Sequence, residues 1–202
     1  MEKASPHRSS AMRNKGRLSL VVSPLCTLPV PGVAGESAWR SLTLQARQAI
    51  DQGDFGRARR LYEEALSEAD AALVAAQLPA NDQTIYLAPA QYHLACRNIA
   101  ELARRQGDTG TEGIFIYRAY SRLVALAESA RAPLALRSSA VSQLDGALRA
   151  LARYIAAHGS GETLKAQAER VRAVSAVVHN LAEAAGLELA PAGLAQSGVW
   201  TF

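Results

Sequence analysis

The sequence predicts an all-α protein, an α-solenoid of three antiparallel helical hairpins, and three observations support this fold class. The chain after residue 37 is rich in Ala, Leu, Arg, Glu and Gln, which are good helix formers. Apolar and polar residues rarely alternate there at the two-residue period of a strand. Gly53, Gly107 and Gly159 follow one another at intervals of 54 and 52 residues, and a nearly constant interval is typical of structural repeats.

Residues 1–37 are predicted to be a flexible basic leader. They contain half of the 8 prolines and carry a net charge of +3 out of the total of +4, so the rest of the chain is almost neutral. The charge of residues 38–202 therefore does not indicate a nonspecific nucleic-acid-binding face. Residues 17–36 are similar to a secretory signal peptide, but three prolines interrupt the apolar run, and we prefer a leader to an export signal.

The rest of the chain is interpreted as six helices. Gly53, Gly107 and Gly159 end the first, third and fifth helices, because glycine readily adopts the left-handed conformation that closes a helix. The residue that follows each glycine can accept hydrogen bonds from the free N–H groups of the next helix. These capping residues are Asp54, Asp108 and Ser160. The predicted helices span about residues 38–52, 55–78, 88–106, 110–130, 134–158 and 161–185.

Prolines and an apolar stripe complete the repeat pattern. Pro79 and Pro133 separate the helix pairs, and Pro89 fits the first turn of the third helix. The first helix of each pair carries an apolar stripe with steps of three, one and three residues, which indicates one buried face. The stripes are Leu42, Gln45, Ala46 and Ala49; Cys96, Ile99, Ala100 and Ala103; and Leu148, Leu151, Ala152 and Ile155.

The first hairpin carries a more specific set of residues: Ala46, the turn Gly53-Asp54-Phe55, then Ala58, Tyr62 and Ala65-Leu66. With these residues the chain resembles the tetratricopeptide repeat family. The stretch from Cys96 to Thr109 is also similar to small bacterial repeat proteins. The resemblance covers residues 38–186 and implies a helical domain that binds other proteins and does not catalyse a reaction. Residues 187–202 are then a C-terminal tail, in which Trp200 and Phe202 pack on the last helix, serve as a recognition segment or are disordered.

The resemblance weakens along the chain. The second hairpin has Glu112 where the family has a small residue, and one extra turn residue would bring Gly113 and Tyr117 to the expected places. Both registers remain open from the sequence. The third hairpin keeps only the apolar spacing of Leu164, Ala168 and Val171, which indicates a degenerate or capping repeat.

The resemblance further implies that the first helix of each pair lines a concave groove that holds a peptide or a partner helix. The predicted partner-binding residues are Arg40, Arg47, Arg97, Asn98, Glu101, Arg149 and Arg153, with Thr43 beside them. The planar guanidinium of arginine binds carboxylates in two places, so such a surface suits an acidic segment or a free C-terminus. The alternative is that these arginines are solvated and paired with acidic residues of adjacent helices.

Little in the sequence points to catalysis. His93 and Cys96 supply at most two ligands of the three or four that a metal needs, so neither a metal nor a cofactor is expected. No glycine-rich phosphate loop or nucleophile motif is found. Two cysteines, Cys26 and Cys96, suggest reduced thiols in the cytoplasm. We expect a non-enzymatic cytoplasmic adaptor or chaperone. The alternatives are a nucleic-acid-associated regulator that uses the basic leader, and a structural homo-oligomer.

Overall fold

The computed structural model describes residues 38–78, 82–158 and 161–187, and within these ranges it contains six α-helices and no strand. The prediction of an all-α protein is confirmed. The predicted leader, Cys26, Pro79, Gly159, Ser160, Trp200 and Phe202 lie outside the described residues. The helices are α1 (Ala38–Asp51), α2 (Phe55–Ala75), α3 (Asp82–Arg105), α4 (Thr109–Glu128), α5 (Leu134–His158) and α6 (Gly161–Ala184).

The two described Gly-Asp turns have the predicted geometry. Gly53 and Gly107 have φ angles of 78° and 74°, in the left-handed region that favours glycine. Asp54 Oδ1 accepts a hydrogen bond of 2.9 Å from the N–H of Arg57. Asp108 Oδ1 accepts an equivalent bond of 2.9 Å from the N–H of Thr111. Each doublet therefore ends one helix and begins the next within three residues.

The two turns are equivalent at their caps. α2 and α4 both begin one residue after the capping aspartate. Counted from this residue, Glu112 and Ile116 correspond to Ala58 and Tyr62. By burial the other register is favoured at the small-residue position, because Gly113 is buried as Ala58 is, whereas Glu112 is only half-buried.

The start of α3 differs from the prediction. The helix begins at Asp82, about two turns earlier than expected, and Pro89 lies inside it instead of in its first turn. The turn before Pro89 is retained because Ile85, Ala88 and Pro89 itself are buried. Proline cannot donate to the carbonyl of Ile85, four residues earlier. Ser139 Oγ of α5 donates a hydrogen bond of 2.8 Å to the carbonyl of Tyr86 in that turn.

Helix packing follows the order of the chain. Each helix packs on the next, α3 also packs on α5, and α4 packs more lightly on α6. Within the described residues, α1 has hardly any contact with α3. The core is formed by Leu and Ala with a few tyrosines, and Leu73, Tyr92, Leu123, Leu144 and Leu151 are among its fully buried side chains.

The predicted small-residue positions are only partly equivalent. Ala46 and Ala100 are buried, as expected for positions where two helices approach closely. Ala152 is only half-buried. None of the described helices combines the length and the apolar character that a membrane-spanning helix requires.

Candidate partner-binding groove

α3 and α5 are in contact where His93 of α3 packs on Gly146 of α5, and we call this contact the joint. A Cβ atom on Gly146 would lie 3.0 Å from His93 Cε1, so the imidazole rests almost directly on the backbone of α5. His93 Nδ1 lies 3.4 Å from Gln143 Oε1, where it can donate a weak hydrogen bond. Burial lowers the pKa of His93 to about 4, and the nearby charge of Arg97 acts in the same direction. The imidazole is therefore neutral near pH 7.

The same contacts fix the relative direction of the two helices. The backbone of Tyr86 meets Ser139, and His93, seven residues later, meets Gln143 and Gly146. α3 and α5 therefore run in the same direction. Arg149 and Arg153 come level with residues 96 and 100 of α3, because His93 is level with Gly146.

The exposed residues beside this contact lie on one surface of α3 and α5 by the helical period, and we call this surface the α3/α5 groove. By the helical period, its residues lie next to the joint on the exposed side of each helix. Its first half is apolar, with Leu87 exposed and Leu94 half-exposed, and its second half is basic. The groove residues are Leu87, Ala90, Leu94, Arg97 and Glu101 of α3, and Ser142, Gly146, Arg149 and Arg153 of α5.

Four of the predicted partner-binding residues lie in this groove. Arg149 Nη1 lies 2.6 Å from Asp145 Oδ2, one turn earlier on its own helix. Arg153 is exposed and makes no ion pair with another described residue. In the described part of the chain, neither Arg149 nor Arg153 is paired with an acidic residue of an adjacent helix, as the alternative reading had supposed.

Glu101 is the acidic residue at the basic end of the groove, and its charge is compensated locally. It accepts hydrogen bonds of 2.8 to 2.9 Å from Arg104 and Arg105. Partial burial raises the pKa of Glu101, but the hydrogen bonds and charges of these two arginines outweigh burial and lower it overall. This end of the groove therefore remains positive.

The predicted residues of α1 are not joined to this groove by helix packing. Arg40 is exposed and Arg47 is half-buried, on a helix that hardly touches α3. Thr43 does not face a groove. Its side chain is buried, and its hydroxyl donates a bond of 2.8 Å to the carbonyl of Trp39, which satisfies it inside the helix.

Asn98 lies at the far edge of the groove side of α3. It follows Leu87 by eleven residues, which places the two within about 20° of each other around the helix. The side chain is half-buried, and its Nδ2 atom is completely enclosed without a hydrogen-bond partner among the described residues. The Nδ2 atom of Asn98 is therefore not presented to a partner in this conformation.

Charge is divided unequally between the two sets of helices. The odd-numbered helices α1, α3 and α5 contain eight arginines and four acidic residues. The even-numbered helices α2, α4 and α6 contain eight basic and nine acidic residues. The odd-numbered helices thus carry the net positive charge of the helical region. The arginine content of the predicted helices is the sequence signal for this division, and the seven-residue spacing of Leu87 and Leu94 is the signal for a shared apolar side.

The buried cysteine belongs to the hydrophobic core. Cys96 is fully buried near Tyr92, whose hydroxyl accepts a bond of 3.1 Å from Arg118 Nε. Burial raises the pKa of the Cys96 thiol to about 12, so the thiol stays protonated near pH 7. Cys96 packs as a core residue.

Comparison with known proteins adds one match. The model of a family described as "Protein of unknown function (DUF2753)" matches residues 37–186, which include all six helices. A search of curated proteins and a search of solved structures gave no match.

Proposed function

The chain belongs to the DUF2753 family, whose model covers all six helices. We propose that this helical region is a non-enzymatic adaptor or chaperone of the cytoplasm. In this proposal the six helices form a tetratricopeptide-like solenoid. Its α3/α5 groove holds an acidic segment of a partner protein, in the form of a peptide or a helix.

The observation that carries the proposal is the segregation of charge and apolar surface within the groove. Arg97, Arg149 and Arg153 form its basic half, and Leu87 and Leu94 form its apolar half. A partner segment with acidic residues at one end and apolar residues at the other complements both halves. Arginine favours such a partner, because its planar group binds carboxylates with two parallel hydrogen bonds.

The existing ion pair of Arg149 does not oppose this role. An exposed pair between residues four apart on one helix contributes only about 0.3 to 0.5 kcal/mol. A partner carboxylate can therefore replace Asp145 at little cost. Arg153 makes no described ion pair that would have to break.

The test is a peptide-binding measurement on the full chain. The probe is a fluorescein-labelled amphipathic helical peptide with glutamates in its first half and leucines in its second half. Fluorescence anisotropy should show binding that weakens as salt rises, because exposed charges are screened. The double variant Arg149→Glu with Arg153→Glu should bind about tenfold more weakly or worse.

The matched control is Arg131→Glu with Arg172→Glu, which reverses two exposed arginines outside the groove. This control should bind the peptide as the unaltered chain does. A peptide in which lysine replaces every glutamate should not bind. Equal affinity of the groove variant and the control variant would contradict the proposal.

A further inference from the structure

The contact between α3 and α5 depends on an uncharged imidazole at its centre. His93 Cε1 lies against the backbone of Gly146, where an added Cβ atom would be only 3.0 Å away. The Nδ1 atom of His93 lies 3.4 Å from Gln143 Oε1. With Nδ1 donating to that oxygen, Nε2 is the ring nitrogen that can take up a proton. A proton at Nε2 therefore places a positive charge inside the joint.

The surroundings of the ring do not compensate such a charge. The crevice beside it is lined by Arg97 of α3, by Phe115, Ile116 and Ala119 of α4, and by Ala147 and Ala150 of α5. Arg97 is the charged member of this lining, and its like charge opposes protonation. Asp145 of α5 is exposed and pairs with Arg149 at 2.6 Å. Arg118 of α4 donates to Tyr92. Among the lining side chains there is thus no carboxylate to accept a hydrogen bond from Nε2.

Protonation therefore favours movement of the ring. A charged N–H group that is enclosed without an acceptor is strongly disfavoured, and water outside the crevice supplies acceptors. When the ring turns out, it no longer fills the space over Gly146. The bond from Ser139 to the carbonyl of Tyr86, two turns away, then remains as a polar link between the two helices.

We propose that the joint is a proton-controlled hinge: when the His93 imidazole takes up a proton, it leaves Gly146, and α5 moves relative to α3 while both helices stay folded. This inference goes beyond the proposed function and does not depend on what the groove binds. The hinge changes the distance from Arg97 to Arg149 and Arg153, because the joint holds these side chains level with one another.

The two states of the ring set the size of the effect. In the closed joint the pKa of His93 is about 4, and the ordinary value in water is 6.5. Between these values the solvated ring binds a proton and the closed ring does not, so opening becomes more favourable as the pH falls. The equilibrium constant for opening should be about 30-fold larger at pH 5 than at pH 8.

The experiment measures a distance across the hinge in the full chain by double electron–electron resonance. Spin labels are attached at Glu64→Cys of α2 and Glu169→Cys of α6, both exposed, in a Cys26→Ser background. Cys96 is fully buried and stays unlabelled. We expect one narrow distance at pH 8 and a second distance at pH 5. The label pair Arg40→Cys with Glu64→Cys lies on α1 and α2 and should give the same distance at both pH values.

Four variants separate the hinge from a general effect of acid. His93→Gln cannot take up the proton and should keep the narrow distance at pH 5, whereas His179→Gln removes an exposed histidine of α6 and should behave like the unaltered chain. Gly146→Val fills the place of the ring and should give the second distance already at pH 8. Its control is Gly110→Val, because a Cβ at Gly110 has only an ordinary contact of 3.6 Å with Asp108.

Three results would overturn the inference: the same distances at pH 8 and pH 5 in the unaltered chain, a second distance at pH 5 in His93→Gln, or loss of far-ultraviolet circular dichroism together with the narrow distance. The last result would mean that the chain unfolds as a unit and does not bend at a hinge. The peptide assay is independent of this test. If the chain binds no acidic peptide but shows the second distance, only the proposed function fails.

Discussion

Two glycines inside helices of this protein support an aromatic ring of another helix. Gly146 lies under the imidazole of His93, and Gly113 lies under the phenol of Tyr154. Tyr154 donates a hydrogen bond of 3.2 Å to the carbonyl of Thr109 and contacts Tyr117 edge to face. The contacts join α5 to α3 and α4, so they position the helix that supplies Arg149 and Arg153.

The contact between Gly113 and Tyr154 predicts that Gly113→Ala has opposite effects on stability in the unaltered protein and in a Tyr154→Ala variant. A Cβ at Gly113 would overlap the Tyr154 phenol, so Gly113→Ala should displace the ring and lower the free energy of unfolding by about 1 kcal/mol. In a Tyr154→Ala background the same change should stabilise the protein by about 0.5 to 1 kcal/mol, because alanine is the better helix former. Urea unfolding of the unaltered protein, the two single variants and the double variant measures this double-mutant cycle. The same effect of Gly113→Ala in both backgrounds would refute the contact.

His93 predicts a loss of stability in mild acid. Folding lowers its pKa from 6.5 to about 4, so the unfolded chain binds a proton between these values while the folded chain does not. Stability is therefore present above pH 6.5 and falls as the pH drops toward 4. The free energy of unfolding should decrease by about 2 kcal/mol from about pH 7 to about pH 5.

The control for this prediction is His93→Gln, which cannot titrate and should have a flatter stability profile over the same interval. Glu101 and Glu128 have lowered pKa values and lose their contribution only at lower pH, so they do not obscure the result. The measurement is urea unfolding at several pH values. Identical profiles of the variant and the unaltered protein would contradict a buried neutral His93.

At the scale of the helix, local chemistry made the Gly-Asp turns predictable. The left-handed glycine and the capping aspartate are both set within about five residues, so the sequence contained everything needed. The start of α3 was not predictable in this way. Pro89 lies inside the helix in a turn that tertiary packing buries, and the sequence does not reveal that burial. The contact between Gly113 and Tyr154, 41 positions apart, is hidden for the same reason.

The caps give a prediction that separates charge from hydrogen bonding. Asp54→Ala should lower the free energy of unfolding by about 1 kcal/mol, because the N–H of Arg57 loses its acceptor. Asp54→Asn should cost much less, since asparagine caps a helix about as well as aspartate. Thermal unfolding of the two variants measures the difference. An equally large loss in both would indicate that Asp54 acts mainly through its charge.

At the scale of the whole molecule, the packing of the helices explains which of the predicted partner-binding residues lie on one surface. A binding surface on the first helix of every pair requires all these helices to touch, and the sequence pattern implied that they do. α3 and α5 touch through Gly146 and Ser139, so Arg97, Glu101, Arg149 and Arg153 share a groove. α1 hardly contacts α3, and Arg40 and Arg47 remain apart from it. The repeat period alone cannot show this difference, because it fixes spacing along the chain and not the distance between helices.

The attachment of α6 gives a prediction for the whole chain. α6 packs on α5, and it is tied to α4 by two hydrogen bonds of 2.7 and 2.6 Å between Arg170 and Glu128. In a chain of stacked helices, stability depends on contacts between neighbours, so loss of a terminal contact loosens that end first. Glu128→Ala should therefore increase amide hydrogen exchange severalfold in α6 and little in α1, α2 and α3.

The size of this effect follows from the exposure of the ion pair. The side chains of Arg170 and Glu128 are 52% and 37% exposed, so the pair contributes at most about 1 kcal/mol, which corresponds to a roughly fivefold change in local opening. Glu183→Ala removes an unpaired acid from α6 itself and should leave exchange unchanged. Hydrogen exchange followed by mass spectrometry resolves the individual helices. A uniform increase across all six would mean that the chain opens as one cooperative unit, because α6 would then have no separate opening equilibrium for Glu128 to control.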